Sequence, residues 1–153
     1  MKKVAALLTM LTVVAFTAPA DARVRAGLLN CTVAPGVSFI VGSQKTMECH
    51  FRPVRGRGEN YSGRITRLGL DVGFTSGGKI AWAVYAPARR GPGALAGVYG
   101  GASAEATIAG GIGANVLIGG FRRSITLQPI SVGTQTGFDL AVAVSGLELE
   151  PAR

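Results

Sequence analysis

The chain has one histidine, His50, and two cysteines, Cys31 and Cys49, among its 153 residues. That scarcity closes several chemistries. A catalytic zinc ion is held by three protein side chains, typically histidines with a carboxylate, and His50 alone cannot supply such a set. A Ser-His-Asp site would have to use His50 as its base. No G-x-S-x-G motif occurs, and the serine contexts "GASAE" (Ser103) and "VSG" (Ser145) lack the strand–elbow–helix frame that exposes a nucleophile. Acids are scarce too, eight Asp and Glu against 16 Lys and Arg. Two carboxylates can hydrolyse a glycoside without histidine. The candidates are Asp71, Glu105 and Asp139, each in or beside strand-like sequence in an arginine-rich chain, where charge neutralisation is the simpler role. Aromatics make up 7% of the chain, too few for the platforms of a polysaccharide hydrolase. The expectation is a protein that is not an enzyme and takes no cofactor and no metal, with a carboxylate-based hydrolase as the alternative.

Long apolar runs are also missing. The stretch between Glu105 and Arg122 is uncharged, but it is shorter than the ~18 residues of a membrane span and is diluted by Asn115 and several glycines. Outer-membrane barrels need longer alternating strands and aromatic girdles, so the chain is expected not to span a membrane. Within that stretch "GGIGANVLIGG" resembles half of a dinucleotide fingerprint, yet Val116 stands where the third glycine belongs. The one "GK", Gly78-Lys79, is followed by Ile80 rather than Ser or Thr, which excludes a P-loop.

The N-terminus is more informative. "MKKVAALLTMLTVVAFTAPADA" places Lys2 and Lys3 before an apolar run over residues 4–18, followed by the small-residue sites Ala18-Pro19-Ala20 and Ala20-Asp21-Ala22. That is the pattern of a cleaved secretory signal. Residues 1–22 are assigned to it and residues 23–153 to a single domain. In an exported chain an even cysteine count favours one disulfide, Cys31–Cys49.

No segment of residues 23–153 repeats apolar side chains at helical spacing. Short alternating runs recur instead, cut by Gly, Pro, Asn and Ser. Strands are expected over 25–33, 37–42, 45–51, 61–74, 79–87, the "ANVLIG" segment near 114–119, 123–129 and 137–150. In 61–74 the apolar parity changes near Arg67, as a β-bulge would require. A polar loop is expected over 52–60, and a disulfide from Cys31 to Cys49 would join the first of these strands to the third. The fold class is all-β: a small antiparallel barrel or sandwich of about seven to nine strands, with room for one short helix near 101–109.

Without the signal segment, 14 basic residues face seven acids, and 12 of the 14 are arginine. They cluster in "FRPVRGRGENYSGRITR", in Arg89-Arg90 and in Arg122-Arg123. A basic surface attracts polyanions. The plainer role of these arginines is solubility through solvated loops, in an envelope protein with a structural or interaction role; the alternative is binding of an anionic lipid or an acidic polysaccharide of the envelope, since export argues against nucleic acid. The candidate anion-binding residues are Arg52, Arg55, Arg57, Arg64 and Arg67, with Tyr61 beside them.

The segments "AGLLNCTVAPGVSFIVGSQKTMECHFRP", "YSGRITRLGLDVGFTSGGKIAWAVYAP", "GALAGVYGGASAEATIAGGIGANVLIGG" and "SITLQPISVGTQTGFDLAVAVSGLELE" together resemble the family called domain of unknown function 992, short exported proteins of alphaproteobacteria. The resemblance covers nearly all of residues 23–153. It implies a periplasmic envelope protein of no assigned activity and brings no catalytic residues with it. The C-terminal half is similar in layout to the lipid-binding SYLF domains, without their long N-terminal helical portion.

Overall fold

A computed structural model describes residues 23–34, 45–68, 78–101, 116–130 and 144–153, with the backbone alone at 67 and 68. Eight strands occupy them: β1 (Val24–Val33), β2 (Lys45–Pro53), β3 (Glu59–Leu68), β4 (Gly78–Ala86), β5 (Gly97–Gly101), β6 (Leu117–Gly119), β7 (Ile125–Pro129) and β8 (Val144–Pro151). They close into an antiparallel barrel in the order β1-β2-β3-β8-β5-β6-β7-β4.

Read around the barrel, that order is two Greek keys. In β1–β4 three strands pair in sequence and the fourth returns beside the first, giving 4-1-2-3; β5–β8 repeat it as 8-5-6-7. The two joins, β3 with β8 and β7 with β4, are equivalent under the same shift of four strands. A short sequence echo accompanies this. Ala26-Gly27 lies in the first strand of one key, and Ala96-Gly97 at the start of the first strand of the other. Both glycines sit where backbone comes close: a Cβ on Gly27 would lie 2.1 Å from the Arg52 carbonyl oxygen on β2, and one on Gly97 3.1 Å from Cα of Gly120, the residue that follows β6.

The strands form because apolar side chains alternate at a period of two. Along β2, Lys45, Met47, Cys49 and Phe51 point inward, while Thr46, Glu48, His50 and Arg52 are exposed. On β4, Ile80, Trp82 and Val84 fill the interior as their parity predicts. Ala81 and Ala83 face the other way yet are buried, since these short methyl groups sit opposite the longer Asn30, Leu28 and Gln128. The expected inward Leu147 and Leu149 and outward Glu148 and Glu150 hold on β8. The change of parity near Arg67 is real: the pairing of β3 with β8 shifts between Ile65 and Arg67 and again between Arg67 and Leu68.

Cys31 and Cys49 are bonded and sit directly opposite each other in the β1–β2 ladder, with Cα atoms 4.0 Å apart. The disulfide therefore joins neighbouring strands, because β1 pairs with β2 directly. The strand expected over 37–42 lies outside the described residues, as do residues 1–22, expected to form a signal segment, most of the expected helix (102–109) and residues 137–143 of the last expected strand. Gly101 itself ends strand β5. The polar loop is shorter than expected, since Arg52, Pro53, Glu59 and Asn60 belong to strands.

Among the described residues the interior is filled. Trp82, Tyr61, Tyr99, Phe51, Leu29, Ile80, Leu117, Leu127 and Leu147 are all essentially inaccessible. Outside, the wall carries Asn30, Thr32, Glu48, His50, Asn60 and Ser62, with His50 Nδ1 2.6 Å from Asn60 Oδ1. Along β1–β3 polar side chains thus predominate on the outer face, where a membrane-spanning barrel carries its apolar band. No helix among the described residues is long and apolar enough to cross a membrane.

Candidate functional site

Successive strands of an antiparallel barrel run in opposite directions, so alternate connections fall at opposite ends. One end gathers both termini of the barrel and the connections β2–β3, β4–β5 and β6–β7. Those segments carry Arg23, Arg25, Arg55, Arg57, Arg89, Arg90, Arg122, Arg123 and Arg153, and Arg52 stands on β2 next to them. In sequence, residues 35–44, 69–77, 102–115 and 131–143 contain no Lys or Arg and hold Asp71, Glu105 and Asp139. The three carboxylates weighed for hydrolysis lie outside the described residues.

The β4–β5 connection crosses the arginine-bearing mouth and closes it. Leu95 drops into the core, and Tyr99 donates its hydroxyl hydrogen to the Leu95 carbonyl at 2.7 Å. Glu59 anchors the same connection from β3, accepting from Gly93 N–H at 3.2 Å and from the Tyr61 hydroxyl. Burial pushes the Tyr61 and Tyr99 phenols above their ordinary range, helped for Tyr61 by its bond to the Glu59 carboxylate.

Two depressions flank this plug. One is a groove lined by Arg25, Arg55, Arg57 and Arg90 with Glu59, Phe51 and Val54. Arg90 forms its wall: its guanidinium stands 5.6 Å from the centre of the Phe51 ring and donates to the Ala26 carbonyl at 3.4 Å. The second is a cleft between residues 87–94 and the β6–β7 turn, lined by Arg89, Arg90, Phe121, Arg122 and Ser124. Glu59 is the only carboxylate lining either depression, and it is already engaged. Among the described residues no carboxylate pairs with Arg55, Arg57, Arg89 or Arg122. Arg23 is held at the rim by Thr126 Oγ1 at 2.6 Å and the Arg123 carbonyl at 3.5 Å.

This geometry divides the residues expected from sequence. Arg55 and Arg57 share the groove, and Arg52 is exposed on the wall beside it. Arg64 stands apart toward the other end of β3, in an ion pair with Glu148 at 3.1 Å. The Arg67 side chain lies outside the described ones. Tyr61 is corrected: it does not belong to the arginine surface but points into the core, because it shares strand parity with Gly63 and Ile65.

Sequence reasoning missed Arg25, Arg89, Arg90 and Arg122 as members of the same surface. The signal was present in the alternation of the connections.

The profile of a family described as Protein of unknown function (DUF992) matches residues 10–150. The chain belongs to the DUF992 family. The match takes in every described strand up to Glu150, so both Greek keys and all three arginine-bearing connections fall inside it. No curated protein and no solved structure matches the chain.

Proposed function

We propose that this DUF992 member is an exported, non-catalytic protein of the cell envelope, periplasmic, that binds an anionic partner through the arginine-bearing end of its barrel. The observation that carries this reading is the convergence of arginines from five separate segments at one end, with a single, already occupied carboxylate between them. Mutual repulsion makes such a cluster costly unless it serves a ligand, and it raises the local concentration of anions. The filled interior supports contact through the outer surface rather than carriage of a ligand inside. Partner chemistry is phosphate or carboxylate, as on an anionic lipid or an acidic polysaccharide; export argues against nucleic acid. The signal-like N-terminus and the disulfide support an oxidising compartment.

The test compares binding to an acidic polysaccharide and to anionic vesicles as salt is raised. The native protein is expected to bind at least one of them and to release it at high salt. Replacing Arg55, Arg57, Arg89 and Arg122 by glutamine is expected to abolish binding, whereas Arg64→Gln, on the wall, leaves it unchanged. Failure of the native protein to bind either polyanion refutes the reading. Export is checked separately by N-terminal sequencing of protein recovered from the periplasm, expected to begin at Arg23.

A further inference from the structure

The arginine-bearing end also exposes large apolar side chains, and their placement identifies the partner more closely. Resting on the anion-binding reading above, we infer that the partner is the surface of a phospholipid bilayer containing anionic lipid, met end-on, with Val54 and Phe121 entering the headgroup region.

The topology is duplicated. The β2–β3 and β6–β7 connections are equivalent, each joining the second and third strands of a Greek key. Each carries an exposed apolar residue followed by arginine: Val54-Arg55-Gly56-Arg57 opens one, and Phe121-Arg122-Arg123 follows Gly120 in the other. Val54 is 66% exposed and Phe121 60%, and Val24, at the same end, 44%. Of the four large hydrophobic residues exposed among the described ones, three therefore lie at the arginine end; Val98, on β5, is the fourth.

The Phe121 turn is held in an unfavourable conformation. Arg122 and Arg123 adopt φ of 53° and 54°, a left-handed geometry that L-residues other than glycine seldom take. A backbone outlier of this kind at an exposed tip is a pointer to function. The Arg122 guanidinium stands 5.1 Å from the centre of the Phe121 ring, so one tip presents an apolar ring and a cation together.

A soluble polyanion would satisfy the guanidinium groups but offers nothing to Val54 and Phe121. At a bilayer surface both needs are met: guanidinium groups reach phosphate while apolar side chains enter the boundary with the acyl chains. Charge complementarity is strong, since each arginine near an anionic surface strengthens binding by about fivefold.

The experiment measures partitioning of the native protein onto phosphatidylcholine vesicles with and without phosphatidylglycerol, beside binding to polygalacturonate in solution. Val54→Ser/Phe121→Ser is the diagnostic variant; both sites are exposed, and its thermal midpoint serves as the folding control. The expected result is partitioning onto vesicles that contain phosphatidylglycerol and not onto pure phosphatidylcholine ones, lost at high salt, with partitioning of the serine variant reduced by about tenfold or more and polygalacturonate bound equally by the variant and the native protein. A Phe121→Trp variant adds a direct readout, a blue shift of emission on vesicles but not with polygalacturonate. If the serine variant partitions like the native protein, or if polygalacturonate is bound and vesicles are not, the bilayer inference is overturned while the anion-binding reading stands. If neither is bound, both fall.

Discussion

Opening the Cys31–Cys49 bond measures how much of the barrel's stability comes from holding β1 and β2 together before folding. The two residues face each other in the ladder and are separated by 18 positions. Closing a loop of that length removes unfolded-chain entropy equivalent to about 3 kcal/mol at 25 °C. Both side chains are buried, so Cys31→Ala/Cys49→Ala also deletes two sulfur atoms from the core, an additional cost on the order of 1 kcal/mol each. Reduction of the native protein keeps the sulfur atoms and isolates the loop contribution. Urea unfolding followed by Trp82 fluorescence, on the oxidised, reduced and alanine forms, separates the two effects. With a denaturant slope of about 2 kcal/mol per molar, the midpoint is expected to fall by about 1.5 M on reduction and by a further ~1 M in the alanine form. A reduced protein within about 0.5 kcal/mol of the oxidised one would refute the reasoning, because it would mean that the unfolded ensemble already keeps β1 beside β2.

Other substitutions probe the frame around the site. Gly27→Ala places a Cβ against the Arg52 carbonyl, which is backbone and cannot swing aside; a loss of about 2–3 kcal/mol in thermal or urea unfolding is expected. Gly100→Ala meets nothing within 4 Å and is expected to be neutral or to stabilise by up to about 1 kcal/mol in the same assay. Glu148→Ala breaks the Arg64 pair on the barrel wall, where both side chains are about one-third or more exposed, and should change stability by less than about 1 kcal/mol. Tyr61 and Tyr99 have phenols raised by burial above the unfolded value of about 10. Each therefore holds its proton more tightly when folded, so its stabilising contribution is complete below about pH 10 and is lost as pH rises above it. Urea midpoints measured against pH should decline in that alkaline range, and Tyr61→Phe/Tyr99→Phe should decline less steeply.

Much of the fold was legible locally. Strand alternation in "KTMECHF" and "LELE", the bulge near Arg67 and the cysteine pair all follow from side-chain parity or composition over a few residues. Tyr61 shows the limit of reading by proximity: it lies among arginines in sequence, yet strand parity turns it to the opposite side of the wall from Arg64. Arg25, Arg89 and Arg122 show the converse, being far apart in sequence and together at one barrel mouth.

By itself the sequence determined an all-β chain with one cross-link and a strong excess of arginine, because those properties depend on residue types and short spacings. The tertiary structure alone decided that the sheet closes as two Greek keys, and that β4 returns to β1 and β8 inserts between β3 and β5. Those pairings join segments distant in the chain, and only burial of a shared core selects among them. The arginine-bearing mouth is a consequence of that closure: it brings alternate connections to one end, and these are the ones that carry the charge.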